Sequence, residues 1–307
     1  MALQVGLIGL PGAGKTTLFT ALTGVAAGAY GKPHVAIAPI PDERLEPIAA
    51  IEGSAKTTPA TIQVVDPPGL SAAVLGELRK ADALIAVTRN FGPEADPARD
   101  LETLNLELVV ADVEHVQRRL ERVRTLAKSG DPKLHREVEE LERLLAHAEA
   151  GQPLSSYPSA LPGELEPLTT KAVIEIVNGG DEGFDLKLEA ELADLSPEEA
   201  SAFREGPASY ETVLAELFER VGLITFFTGG DTETRAWTLR RGQTALDAAA
   251  TIHTDIARGF IRCEVIGWRD FVEAGSRAEA ARRGVQRLEG KDYVVADGDV
   301  LNIRFNV

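Results

Sequence analysis

Gly9-Leu10-Pro11-Gly12-Ala13-Gly14-Lys15-Thr16 constrains this chain more than any other stretch. It fits G-x-x-x-x-G-K-[ST], a phosphate-binding loop that works only between a strand and a helix. Both neighbours are present. Leu3-Gln4-Val5-Gly6-Leu7-Ile8 is a short apolar run of strand type, and Leu18, Phe19, Ala21 and Leu22 recur at helical spacing behind the loop. Such a loop aims backbone N–H groups and a helix N-terminus at a phosphate. Pro11, Gly12, Ala13, Gly14, Lys15, Thr16 and Thr17 are therefore the expected nucleotide-binding residues of the loop. Lys15, its ammonium at the β/γ oxygens, is the one expected to act catalytically, and the Thr16 hydroxyl is placed to ligate Mg²⁺.

Behind the loop, strands and helices alternate. Val35-Ala36-Ile37 is a short strand, Pro41-Asp42-Glu43 opens a helix through Ile51, and Thr61-Ile62-Gln63-Val64-Val65-Asp66 is a second strong strand. Leu75 to Ala81 is helical, and Ala83-Leu84-Ile85-Ala86-Val87 is a buried-type strand. This order predicts an α/β fold, a P-loop NTPase domain on a doubly wound, mainly parallel sheet. Residues 24–34, rich in Gly and Ala, read as a mobile loop.

From Leu101 through Leu126 apolar residues recur at three and four, Ser129-Gly130-Asp131-Pro132 turns the chain, and a second amphipathic stretch follows. That pattern predicts an antiparallel helical hairpin, with His115 and His147 in solvent. Lys171 to Val177 returns to the sheet, Asp185 to Leu192 alternates as an edge strand, and Ser209 to Val221 is a helix. From Leu223 onward β-branched and aromatic clusters predict a small β-rich domain, with Tyr293-Val294-Val295 a strand and Asp297-Gly298-Asp299 a tight turn. The expected division is residues 1–98 and 166–222 for the nucleotide-binding domain, 99–165 for the hairpin and 223–307 for the β-rich domain.

Charge and cysteine content narrow the setting. The formal charge of −16 argues against indiscriminate nucleic-acid binding, and no DNA contact is expected. From residue 223 onward Arg and Lys number 12 and Asp and Glu number 12, so all the net charge lies before it. An RNA-facing surface is thus permitted only in the C-terminal part, where Arg258, Arg262, Arg282, Arg283 and Arg287 are the candidate phosphate contacts. Trp237, Phe226 and Phe260 are read as core packing, and His253 as structural. No apolar run reaches membrane-spanning length, and the lone Cys263 fits a reducing cytoplasm.

Two further motifs complete a switch-type constellation. Asp66-x-x-Gly69 ends a strand, where the carboxylate can hold Mg²⁺ and the Gly69 N–H can sense a γ-phosphate. Asn178-x-x-Asp181 ends a later strand, where a base-reading loop belongs. The metal residues are then Thr16 and Asp66, and the base residues Asn178 and Asp181.

Residues 9–23 resemble the Obg-related NTPases, and Ile40-Pro41-Asp42-x-Arg44-Leu45 resembles their YchF subfamily. So does the C-terminal run Arg235-Ala236-Trp237-Thr238, Ile252-His253-Thr254-Asp255, Arg258-Gly259-Phe260-Ile261-Arg262 and Glu289-Gly290-Lys291-Asp292-Tyr293, which is similar to the family's TGS domain. The resemblance covers nearly the whole chain. It implies a P-loop NTPase with a helical-hairpin insertion and a TGS-like domain, contact with the ribosome or ribosomal RNA, and a regulatory role in translation or stress. It also implies a preference for ATP. Four departures stand against the family pattern. Asp181 replaces the glutamate of its base loop, leaving ATP against GTP open, and the first switch has no threonine between Gly24 and Lys56. The loop after Gly69-Leu70 is short, and the segment between Phe91 and Asp100 lacks the family's hydrolytic histidine. Leu70 stands where related enzymes orient water with glutamine, so slow hydrolysis or none is expected. A nucleotide-binding adaptor that no longer hydrolyses and a P-loop small-molecule kinase are the alternatives.

Overall fold

The computed structural model describes residues 3–26, 32–180, 183–193, 195, 197–203 and 209–306. In chain order the elements begin with β1 (Leu3–Gly9), α1 (Lys15–Thr23), β2 (His34–Ile40), α2 (Leu45–Glu52), β3 (Thr57–Thr58), β4 (Ala60–Asp66), α3 (Ala72–Glu77) and β5 (Ala83–Arg89). Then come α4 (Pro97–Ala127), α5 (Pro132–Glu149), β6 (Ala172–Asn178), α6 (Leu186–Leu192), α7 (Pro197–Phe203) and α8 (Ser209–Arg220). The C-terminal part holds β7 (Leu223–Thr228), β8 (Thr234–Arg240), α9 (Ala245–Ile252), α10 (Thr254–Arg258), β9 (Phe260–Gly267), α11 (Trp268–Ala274), α12 (Arg277–Arg282), β10 (Arg287–Glu289) and β11 (Asp299–Phe305).

A five-stranded sheet runs in the order β2-β4-β1-β5-β6, with β1, β5 and β6 parallel. The doubly wound expectation holds here for a physical reason. Ala83 through Thr88 are buried without a break, as a parallel strand covered on both faces requires. Leu75 and Leu78 after the first turn of α3, and Leu104, Leu108 and Ala111 of α4, close one face over Ile8, Val65 and Leu84.

Apart from its first three residues, the chain divides by contacts into two compact units. One holds Gln4–Ala36 and Gln63–Val213, the other Ile37–Ile62 and Leu214–Val307. This differs from a linear division at residue 222, because residues 37–62 pack with the C-terminal segment. Arg44 explains part of that grouping. Its guanidinium bonds Asp42 at 2.7 Å and Asp297 at 2.7 Å, and lies over the Phe227 ring. Arg277 pairs with Glu52 at 2.6 Å, Ser54 donates to the Gly230 carbonyl at 2.6 Å, and β3 pairs with β8. A second, six-stranded sheet results, in the order β10-β9-β11-β7-β8-β3.

The hairpin is as its periodicity predicts. Asp96 caps α4, Pro97 fills its first turn, and Asp131 caps α5 with Pro132 in the same place. Val116, Leu120, Val123, Leu141 and Leu144 form its seam, and Arg119–Glu137 and Arg124–Glu142 bridge the two helices at 2.7 Å each. Its root is fixed by Asp112, which is 1 % exposed. That carboxylate accepts from Arg79 at 2.7 Å, from the Leu168 and Thr169 amides at 2.9 Å, and from the Thr169 hydroxyl at 2.7 Å.

Three sequence expectations are corrected. Asp185–Leu192 is a helix: Leu186, Glu189 and Leu192 are its buried residues, at a spacing of three, and Asp185 caps it by accepting from the Leu188 amide. Tyr293–Val295 is not a strand; Val294 makes a single bridge to Thr244, while the Tyr293 hydroxyl donates to Asp299 at 2.8 Å. Burial next to Asp299 pushes that phenol up to about 12. His115 and His147 are half-buried, not solvated. Burial, with Arg79 and Arg118 nearby, lowers the His115 pKa, and His147 meets the Tyr157 ring edge-on and lies 3.0 Å from the Ser156 hydroxyl. Residues 27–31 of the expected mobile loop lie outside the described residues.

The C-terminal unit packs Phe226, Cys263, Val265 and Leu301 into one core, with Trp237 stacked on Phe226 at 6.4 Å and Phe260 against the rim. These aromatics are core, and His253 caps α10 by accepting from the Asp255 amide.

Removing the carboxylate in Asp112→Ala leaves Arg79 buried and unpaired. The loss should be about 3–5 kcal/mol, read as a lower urea midpoint with an unchanged m-value. Burial pushes the Cys263 thiol up to about 12. At pH 8 the native protein should therefore leave Ellman's reagent unreacted, and denaturant should release one reactive thiol.

Candidate functional site

The phosphate loop leaves the C-terminal end of β1 and turns at once. The Ala13 amide donates to the Leu10 carbonyl at 3.1 Å, Gly12 has φ +77°, and Gly14 has φ +103°. Only glycine suits Gly14 on two counts. Its φ is left-handed, and a Cβ there would lie 2.4 Å from the Asn178 amide nitrogen. Helix α1 starts directly after it, its amides unpartnered by any side-chain cap. Pro11 lies exposed at the mouth of the loop, and Ala13 is buried beneath it.

Lys15 curls back along its own loop. Its ammonium donates to the Gly9 carbonyl at 2.6 Å. Burial lowers its pKa, and the charge of Asp66 opposes that shift. Thr16 Oγ1 donates to Asp66 Oδ2 at 2.8 Å. Asp66, the last residue of β4, is 3 % exposed. Gly69 and Leu70 follow and border the same cavity as Gly9, Pro11, Gly12, Lys15 and Thr16.

The Asn178 side chain is placed by β6 and donates to the Ala13 carbonyl at 2.9 Å, so it pins the phosphate loop as well as bordering a second cavity. Gly12, Gly14, Thr17, Gly179 and Gly180 share that cavity. The Asn90 amide donates to the Asn178 carbonyl at 2.8 Å, fixing the loop after β6 to the loop after β5. Asp181, the expected base-reading carboxylate, lies outside the described residues. The loop residues, Thr16, Asp66, Gly69 and Asn178 are thus brought together at the C-terminal ends of strands, where open α/β sheets place ligands.

Three residues around these cavities escaped sequence reasoning. Phe91, just beyond β5, and Lys187, in α6, border the second cavity. His34, the first residue of β2, borders the first, with Nδ1 3.2 Å from Asp66 Oδ2 and its ring 5.8 Å from that of Phe19. No spacing rule pointed to it, because it stands at the end of a Gly/Ala-rich loop. Asp66 Oδ1 and His34 Nε2 are both buried without a hydrogen-bond partner among the described residues. Each such orphan costs about 1–3 kcal/mol. A carboxylate oxygen, a hydroxyl and an imidazole lone pair are a donor set that a hydrated divalent cation such as Mg²⁺ or Mn²⁺ satisfies.

Of the arginines considered for phosphate contact, four are ion-paired within their own unit. Arg258 pairs with Asp255, Arg282 and Arg283 with Glu279, and Arg287 with Asp299 and Glu289. Arg262 is exposed on β9.

A strand–glycine loop–helix with Lys and Thr in register, an aspartate ending a neighbouring strand, and a parallel sheet beneath define a P-loop NTPase. Residues 4–138 match a family described as a 50S ribosome-binding GTPase, and residues 223–306 match the YchF GTPase C-terminal family, described as a protein of unknown function. The chain is 35 % identical to the ribosome-binding ATPase YchF of Bacillus subtilis strain 168 over the whole of both chains. It is 30 % identical to Obg-like ATPase 1 of Oryza sativa subsp. japonica, covering 99 % of this chain and 92 % of that one. The solved structure of the Schizosaccharomyces pombe YchF GTPase superposes with a TM-score of 0.81 at 24 % identity, over 98 % of this chain and 97 % of that one. The chain belongs to the YchF family. Its alignment with the Bacillus relative runs over 366 positions against 307 residues here, so the relative carries stretches that this chain lacks.

Gly14→Ala should cost about 1–3 kcal/mol from backbone strain alone. It also pushes Asn178 off the Ala13 carbonyl, so amide hydrogen exchange of residues 10–14 should quicken while that of β5 stays unchanged.

Proposed function

We propose that the chain binds a purine nucleoside triphosphate with Mg²⁺, hydrolyses it slowly, and adjusts contact with the ribosome according to its nucleotide state. The observation that carries this is the meeting of Lys15, Thr16 and Asp66 around one cavity, with Asn178 clamped to the loop beside it. In this reading the loop amides from Gly12 to Thr17 cradle the phosphates. Lys15 gives up the Gly9 carbonyl for the β/γ oxygens, an exchange that burial favours because a partly desolvated ammonium gains more from an anion than from a carbonyl. Thr16 and Asp66 hold the Mg²⁺, which when bound neutralises charge on the phosphate oxygens. Gly69 answers to the γ-phosphate, and Asn178 with Asp181 reads the base.

ATP is the favoured nucleotide, since the relatives' names describe ATPases. Asp181, whose carboxylate suits guanine N1–H and N2–H₂, is the feature that GTP binding would rest on. Ribosome contact rests on the names of the relatives, and a cytoplasmic location follows from it. No helix among the described residues is long and apolar enough to cross a membrane.

A second reading, an adaptor that binds without turnover, is favoured by Leu70, which borders the cavity and has no group to orient water. The deciding experiment is an equilibrium titration with non-hydrolysable ATP and GTP analogues, on the wild type and on Lys15→Ala. The wild type should bind the ATP analogue more tightly, and Lys15→Ala should weaken it at least about a hundredfold, or ~2.7 kcal/mol. Binding of neither analogue to the wild type would sink the proposal. Single-turnover assays with purified ribosomes then separate slow hydrolysis from none.

A further inference from the structure

His34 is the one histidine among the described residues that faces the phosphate loop, and nothing in the family motifs assigns it a task. Its placement is specific. Nδ1 sits 3.2 Å from Asp66 Oδ2, which also accepts from Thr16 at 2.8 Å. A carboxylate oxygen only accepts, so Nδ1 carries the proton and donates. With the Nδ1 proton donated to Asp66, the lone pair of the imidazole form is the one at Nε2. That atom is buried and has no partner among the described residues, and the residue that carries it borders the phosphate cavity. On the other side of the same hydrogen bond, Asp66 Oδ1 is also buried and unpartnered. Histidines that face a metal with one ring nitrogen commonly donate the other ring N–H to a carboxylate, which fixes tautomer and orientation. The ring cannot easily turn away, because Phe19 packs beside it at 5.8 Å.

We propose that His34 is the residue of the first switch that completes the divalent-cation site of the bound nucleotide, its Nε2 lone pair meeting the cation directly or through one of its waters. This rests on the nucleotide reading above. It also answers a gap in the sequence. Between Gly24 and Lys56 the chain holds no threonine to serve the cation from this side, while His34 stands at the start of β2 and borders the site. An imidazole in the set shifts cation preference from Mg²⁺ toward Mn²⁺, which tolerates nitrogen ligands better. Lys32 borders the same cavity, but a cation repels it, so it does not compete for this role.

The test measures affinity for a non-hydrolysable ATP analogue in EDTA, in Mg²⁺ and in Mn²⁺, on the full chain. The variants are His34→Ala, His34→Phe and Asp66→Asn, with thermal unfolding of each to confirm the fold. His34→Phe fills the space beside Phe19 but offers no lone pair, so it serves if the alanine variant unfolds. The wild type should gain affinity on adding either cation. Both His34 variants should lose about tenfold or more of that gain, and more of it in Mn²⁺, with affinity in EDTA changed by less than about twofold. A wild-type gain in His34→Phe, with the gain lost in Asp66→Asn, overturns the role of His34 and leaves the nucleotide reading standing. A wild-type gain in every variant overturns the cation site itself. Electron spin-echo modulation of the Mn²⁺ complex separates the two forms of contact: ¹⁴N coupling lost in His34→Phe means direct ligation. Loss of the affinity gain without ¹⁴N coupling means contact through water.

Discussion

The carboxylate of Asp66 is the point on which the nucleotide unit turns. It stands at the end of β4, almost wholly removed from water, and two donors reach one of its oxygens. Thr16 ties it to the helix behind the phosphate loop, and His34 ties it to the start of β2. A buried charge with a single oxygen satisfied is costly, so the local structure must place further positive or donating groups near it. Lys15 is close enough for its charge to be felt, and in the function proposed above the cation of the nucleotide would supply the remainder. The glycines serve the same end. Gly14 lets Asn178 approach the loop, and that approach sets the depth at which the loop amides sit.

Much of this was legible in the residues. The loop from Gly9 to Thr16, the strand ending in Asp66 and the strand ending in Asn178 each announce themselves by composition and spacing. The parallel sheet puts all three at one edge. The hairpin was equally plain, because its heptad-like seam and its Asp-Pro caps are local signals. What escaped were features made by distant pairings. His34 carries no motif, and only the register of β2 beside β4 brings it to Asp66. Phe91 and Lys187 border the cavity beside Asn178 because the loop after β5 and the helix after β6 converge there. Asp185–Leu192 misled because alternating polar and apolar residues over eight positions suit a strand as well as two turns of helix. Asp185 decides the matter by capping the first turn. The half-burial of His115 and His147 depends on Leu165 and Tyr157, which lie beyond the hairpin in sequence.

The charge distribution also gains meaning from the fold. The C-terminal part is neutral as a whole, and several of its arginines are ion-paired within it. Arg258, Arg282, Arg283 and Arg287 each hold a carboxylate, so a polyanion would have to compete with these ion pairs for them.

The grouping of residues 37–62 with the last ninety or so residues bears on how the chain is made. Arg44 needs Asp297, Glu52 needs Arg277, and β3 needs β8. During synthesis α2 and β3 therefore leave the ribosome before these partners exist. They must wait while the whole parallel sheet and the helical hairpin are translated. The apolar faces of α2, held by Leu45, Ile48 and Ala49, stay uncovered throughout that interval. A chain of this order is exposed to premature association until β11 has emerged.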